Sequence, residues 1–333
     1  MKKSLTRWFV DAWYQEMYIS TWFVPLSLLY VDVIKFRRFL YRLGVLKSTR
    51  LPVPVIIVGN ITVGGTGKTP LVIWLVELLQ QQGYKPGVIT RGYGGTANKV
   101  PQEVSADSDA AMVGDEAVLL ARRCACPVTV GVNRVAAARQ LLARHACDVI
   151  ISDDGLQHYA LQRDIEIAVI DGQRRFGNGY CLPAGPLREP AERLRQVDLV
   201  VANGATELLD GEYGMQCQGD ELVNLATGER QPLTGFNNVA CHAVAAIGNP
   251  ARFFALLKAA GVECTAHAFP DHHAFTAADL QFKDDKPVLM TEKDAVKCLG
   301  FAQTNYWYLP IRAVLPEAFS QQILKLLTEK HHG

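Results

Sequence analysis

Residues 64–69 read Gly64-Gly65-Thr66-Gly67-Lys68-Thr69 and come directly after the apolar run Val53-Pro54-Val55-Ile56-Ile57-Val58. A buried strand, a glycine-rich turn and a Lys-Thr pair opening a helix make a cradle for a triphosphate. Glycine lets successive backbone N–H groups converge on one anion, and the helix N-terminus adds its positive end. In that pattern Lys68 reaches the β/γ oxygens of ATP, and the Thr69 hydroxyl can ligate Mg²⁺. The common form G-x-x-x-x-G-K-[ST] has glycine at its first position; here it is Thr62. A glycine turn without a ligand leaves the Lys-Thr pair at the head of an amphipathic helix unexplained.

The segments beyond the cradle fix the fold class. Short apolar runs at 53–58, 87–90, 128–131, 148–152, 165–170 and 198–202 alternate with helical patterns at 70–82, 116–123 and 134–145. Near-continuous apolar strands are those covered on both faces. Their alternation with helices predicts an α/β fold, a P-loop-like, doubly wound, mostly parallel sheet with ligands beyond the carboxyl ends of its strands. At 333 residues the chain exceeds one ordinary core, so a second domain is expected. Residues 206–240 are rich in Gly, Asn and Glu with weak periodicity and read as a linker or a small antiparallel excursion. A second, smaller α/β domain over 241–333 then runs strand 244–247, helix 250–260, strands 265–269, 287–291 and 306–309, and a C-terminal helix at 316–329. The core domain is 51–205.

Residues 1–50 stand apart. The stretch 17–31 carries no charge, and 34–47 interleaves Lys35, Arg37, Arg38, Arg42 and Lys47 with aromatic and aliphatic residues. Fifteen apolar residues fall short of the ~20 that a spanning helix needs. The mixture suits a helix pair lying in a lipid interface, with aromatics at the acyl boundary and cations on anionic headgroups. A helix packed on the protein's own core is the alternative. Net charge is only +1, which gives no support for a nucleic-acid partner. Eight scattered cysteines without zinc spacing read as free thiols in a reducing compartment.

Several strings carry chemistry at strand ends. Asp153-Asp154-Gly155-Leu156-Gln157-His158 ends a strong strand, where P-loop proteins hold Mg²⁺ on an acid. Adjacent side chains of a strand alternate, so one aspartate can face the metal while the other braces the P-loop or substrate. Asp115 and Glu116 open a helix; both suit ordinary first-turn capping, and Asp115 also suits the proton acceptor that phosphoryl transfer to a hydroxyl needs. Arg91-Gly92-Tyr93-Gly94-Gly95 and the loop 174–190, with Arg188, offer arginines for phosphate or transition-state charge. His272, beside His273, can orient an aspartate base across a cleft. Thr291-Glu292-Lys293-Asp294 reads as a polar turn that touches nucleotide or the other domain, or caps a helix.

Taken together and in this order, these strings closely resemble the tetraacyldisaccharide 4′-kinase family of the lipid A pathway. The resemblance implies transfer of the ATP γ-phosphate to the 4′-hydroxyl of a tetraacylated glucosamine disaccharide 1-phosphate, at the cytoplasmic face of the inner membrane. It implies that Gly64, Gly65, Thr66, Gly67, Lys68, Thr69 and Glu116 serve the nucleotide. It puts Thr69, Asp153 and Asp154 at Mg²⁺, and makes Asp115 the base, assisted by His272, with Lys68 and Arg188 completing the catalytic set. Two other functions fit the P-loop alone: an ATPase that switches conformation to position a metal or partner, and a membrane adaptor that binds nucleotide without transferring it. Switch ATPases of that kind usually carry a lysine just before the paired glycines, and Val63 stands there.

Overall fold

The computed structural model describes residues 12–14, 22–96 and 100–331. Two sheets organise the chain. The strands of the first are β1 (Val55–Gly59), β2 (Pro86–Thr90), β3 (Gln102–Val104), β4 (Val128–Val130), β5 (Val149–Asp153), β6 (Ile165–Asp171), β7 (Leu199–Asn203) and β8 (Glu212–Gln218). The second holds β9 (Glu221–Asn224), β10 (Arg230–Pro232), β11 (Cys241–Ala245), β12 (Cys264–Ala268), β13 (Val288–Thr291) and β14 (Tyr306–Leu309). A last strand, β15 (Arg312–Val314), returns to the first sheet, whose order is β15-β8-β7-β6-β1-β5-β2-β4-β3. All its pairings are parallel except the edge pairs β3–β4 and β15–β8. The second sheet runs β10-β9-β14-β13-β11-β12, parallel from β14 to β12.

The described helices, in chain order, are α1 (Val24–Arg42), α2 (Lys68–Gln81), α3 (Ala110–Val113), α4 (Asp115–Arg123), α5 (Arg134–Arg144), α6 (Pro250–Ala259), α7 (Glu292–Cys298) and α8 (Glu317–His331). Helices α2, α4 and α8 bury Leu71, Leu75, Val118, Leu120, Phe319 and Ile323 against one face of the first sheet. On the other face lie Val135, Ala138 and Leu141 of α5 and Tyr30 and Val31 of α1. Strands β1, β5 and β6 are buried end to end because both faces are covered. The second sheet is wrapped in the same way, by Phe253 and Leu257 of α6 on one side and Ala295 and Cys298 of α7 on the other.

Two expectations change. The stretch read as a linker or a small antiparallel excursion contains the antiparallel hairpin β9–β10, which edges the second sheet, and also β8, an unexpected strand that extends the first sheet parallel to β7. Only Met215 of β8 is buried, so its pattern resembled a loop. The C-terminal helix, expected in the second domain, packs on the first sheet: Phe319 lies between Trp74 and Tyr213, with ring centroids 5.5 and 5.1 Å away. The chain therefore crosses between units twice, between β8 and β9 and again between β14 and β15. At the N-terminus, residues 12–14 are helical, and α1 runs unbroken through Asp32, since no glycine or proline interrupts residues 26–42. Residues 17–21 of the uncharged stretch lie outside the described residues.

Candidate active site

The turn from β1 to α2 is shaped by its neighbours. Gly67 caps α2 at φ 98°, a left-handed conformation, and a Cβ there would collide with the Asn203 side chain. Asn203 Nδ2 instead donates to the Thr66 carbonyl at 2.9 Å. Asn60 Nδ2 reaches the Gly64 carbonyl and Thr66 Oγ1, each at 3.3 Å. Val63 N–H donates to the Pro186 carbonyl at 2.8 Å, and Arg188 N–H to the Ile61 carbonyl at 2.6 Å. The loop carrying Arg188 is thus stitched onto the loop carrying Lys68. From the second unit, Gly248 lies against Gly65 so closely that a side chain there would strike the Gly65 amide.

At the end of β5 the two aspartates have different partners. Asp153 is buried; its Oδ2 accepts from Thr90 Oγ1 at 3.4 Å, and its Oδ1 has no hydrogen-bond partner. Burial, reinforced by the charge of Glu116, pushes its carboxyl up to about 7. Asp154, at φ 49°, turns to Arg188 Nη1 at 3.0 Å and Lys68 Nζ at 3.5 Å. Burial alone would raise its carboxyl, but Lys68 and Arg188 hold it well below the ordinary range. Arg134, itself buried, aims at the Asp153 carbonyl.

A second cluster bridges the two units. Asp115 is the first residue of α4, and its Oδ1 accepts from the Glu116 amide at 2.8 Å. Across the cleft, His272 follows β12 at φ 58°, its Nδ1 at 3.1 Å from Asp115 Oδ2 and 3.2 Å from Oδ1. The Tyr93 ring leans on the imidazole, centroids 4.7 Å apart. Helix α7 adds Lys293, 3.0 Å from Glu116 Oε1, and Lys297, 3.7 Å from Asp115 Oδ2. Burial would raise the Asp115 carboxyl; the His272 hydrogen bond and the two lysines hold it below the usual range instead. His273 points elsewhere, to Asp279 at 3.3 Å.

Geometry therefore gathers the expected residues into two groups. Asp153, Asp154 and Arg188 gather at the glycine-rich turn Gly64–Thr69, and Asp115, Glu116 and His272 sit on α4 and the loop facing it.

The profile of the family described as LpxK, tetraacyldisaccharide-1-P 4′-kinase, matches residues 19–328. The chain belongs to the LpxK family. Among its relatives is a tetraacyldisaccharide 4′-kinase of Nitrosococcus oceani, 54% identical over 95% of this chain and 93% of that protein. Another, from Methylobacillus flagellatus, is 52% identical over 98% of each chain. The crystal structure of LpxK from Aquifex aeolicus in complex with ATP superposes with a TM-score of 0.79 at 29% identity, over 93% of this chain and 99% of that one.

Within this LpxK chain Lys297, Arg134 and Asn203 reach the two groups without a signal in the sequence, whereas Lys293 belongs to the turn expected to touch nucleotide or the other domain. The string Thr291–Asp294 was visible as a polar turn after a strand. That it would deliver a lysine to Glu116 depends on how the second unit docks, which no local pattern encodes.

Proposed function

We infer that this chain is an ATP-dependent kinase of lipid A biosynthesis that phosphorylates the 4′-hydroxyl of a tetraacylated glucosamine disaccharide 1-phosphate. Family membership and the relatives named tetraacyldisaccharide 4′-kinase support the reaction. The observation that carries the chemistry is the Asp115–His272 pair, contributed by opposite units and separated by 3.1 Å. A carboxylate fixed at the start of α4 and steadied by an imidazole is equipped to take a hydroxyl proton.

The remaining groups supply charge and position. The backbone of 64–69 and Lys68 cradle the β- and γ-phosphates, and Arg188 stands beside Lys68 through their shared Asp154. As the γ-phosphoryl leaves, negative charge spreads over its oxygens, and two fixed cations stabilise it without reorganisation. The donor set also fits a divalent cation: the buried Asp153 Oδ1 lacks a partner and its carboxyl is raised by burial. Thr69, Asp153 and Asp154 would hold Mg²⁺, which when bound neutralises phosphate charge. Asp115 receives the acceptor's proton, and its low affinity for protons keeps it unprotonated at neutral pH.

Helix α1 supports work at a membrane surface. Trp22, Leu26, Leu29, Val33, Phe36 and Leu43 recur at helical spacing, and each is more than half exposed. No helix among the described residues is long and apolar enough to cross a membrane. The opposite side of α1 is fixed to the protein: Ser27 Oγ donates to the Cys181 carbonyl at 2.7 Å, and Tyr30 Oη to the Arg188 carbonyl at 3.1 Å. Arg37, Arg38 and Arg42 lean back onto Gln157 and Gln196. A substrate with four acyl chains stays in its bilayer, so an interfacial stripe tied to the Arg188 loop brings the cleft to the headgroup. The reading places the enzyme on the cytoplasmic face of the inner membrane, bound to its anionic lipids.

The test is direct. Protein, Mg²⁺, the disaccharide 1-phosphate in mixed micelles and ATP labelled at its γ-phosphorus should yield a labelled lipid carrying a second phosphate at the 4′ position. Label released only as free phosphate would mark an ATPase and overturn the reading.

A further inference from the structure

Lys293 lies in the first turn of α7, and its ammonium is enclosed by acids from both units. Nζ is 3.0 Å from Glu116 Oε1, 3.5 Å from Asp271 Oδ1 and 4.0 Å from Asp115 Oδ2. It is also 3.5 Å from His272 Nε2. Burial works against the charge, but Glu116, Asp115 and Asp271 more than reverse that, so Lys293 remains an ammonium. Helix α7 is clamped beside it by Glu292, 2.6 Å from Arg123 of α4.

An ammonium only donates and an ionised carboxylate only accepts. His272 stands between one of each. Its Nδ1 faces both oxygens of Asp115, and its Nε2 faces Lys293. With the proton on Nδ1, the carboxylate receives a donor and the Nε2 lone pair receives the lysine. The other neutral tautomer would aim a lone pair at the carboxylate and an N–H at the ammonium, two repulsive contacts. Asp271, 3.7 Å from Nε2, favours a proton there, and Lys293 offsets it by engaging the same Oδ1. Lys297 flanks Asp115 and the Tyr93 ring covers the imidazole face.

We propose that Lys293 is a positioning residue that fixes His272 as the neutral Nδ1–H tautomer and thereby holds Asp115 as an oriented, unprotonated acceptor for the sugar hydroxyl. The proposal rests on the reading of Asp115 as proton acceptor. It gives the second unit a stake in the chemistry: the lysine and the histidine arrive together on elements flanking β13, so docking of that unit assembles the base.

The experiment compares full-length wild type with Lys293→Met and Lys293→Arg. Steady-state kinetics, melting temperature and imidazole-nitrogen NMR are recorded for each, with His272 assigned by difference from His272→Gln. In the wild type, His272 Nε2 should resonate as a lone-pair nitrogen and Nδ1 as an N–H. Lys293→Met should mix the tautomers and lower kcat by roughly a hundredfold while KM for ATP stays within about twofold. Its acid limb of kcat against pH should move to higher pH, because a cation that holds Asp115 low is gone. Lys293→Arg should restore the tautomer and most of kcat. Unchanged kcat, or a lowered kcat with the wild-type tautomer in folded Lys293→Met, overturns the proposal. Wild-type kcat in Asp115→Asn would instead remove the reading beneath it.

Discussion

His158 shows how a buried imidazole beside the aspartate pair couples stability to pH. It follows the aspartate pair, its Nε2 is buried without a hydrogen-bond partner, and Arg134 and Arg163 lie near. Burial first, and then those arginines, lower its pKa to about 4. The unfolded chain, with an ordinary imidazole, binds a proton as pH falls below about 6.5, whereas the folded chain does so only near 4. Between those values the unfolded state is favoured by acid, so stability contributed by neutral His158 is present above about 6.5 and lost toward 4. His158→Gln should flatten that part of the stability curve relative to wild type, measured by urea unfolding at a series of pH values. Parallel curves would show that the imidazole is not neutral when folded. At this scale much was legible in advance: the Lys-Thr pair, the two aspartates, Asp115 and His272 all sit where strand ends or helix starts put them. The pairing of Asp115 with His272 was foreseen too, but other partners were not. Asn203 is distant from the cradle in sequence and reaches it only because β7 lies two strands from β1 in the same sheet.

Among the elements, α1 has divided duties. Its inner side is bonded to the loop of Arg188 and its outer side is an apolar stripe. The doublet Leu29→Asp with Phe36→Asp changes only exposed positions, so the fold should survive. Sedimentation with anionic phospholipid vesicles should fall at least tenfold, while kcat on substrate dispersed in detergent stays near wild type. Vesicle binding that survives the doublet would move the membrane contact elsewhere. Periodicity foretold the amphipathic character of this helix, yet not its unbroken length. Strand existence was read well wherever a strand is buried on both faces, as in β1, β5 and β6. It failed at β8, an outer strand with one fully buried residue, because a half-solvated strand carries little apolar signal.

The whole molecule is two α/β units joined by two crossings, and its last helix belongs to the first of them. Sequence could show that α8 is amphipathic but not which sheet its apolar face covers. That choice makes the C-terminal residues part of the kinase core. Phe319→Ala should destabilise the protein by about 3–5 kcal/mol, since a fully buried ring between Trp74 and Tyr213 leaves a cavity. The loss should appear as a lower urea midpoint and, in parallel, weaker ATP binding, because α2 carries both Trp74 and Lys68. A variant that loses the second unit's fold while still binding ATP would contradict this placement. In the docked arrangement Asp115 of the first unit faces His272 of the second, and the account turns on that contact. It is tested most directly by kcat and ATP affinity of Asp115→Asn, whose amide keeps the shape but does not serve as a base. The account predicts a kcat lower by roughly 10²–10⁴-fold with the dissociation constant for ATP nearly unchanged; a kcat near wild type, or a loss explained wholly by weaker ATP binding, would contradict it.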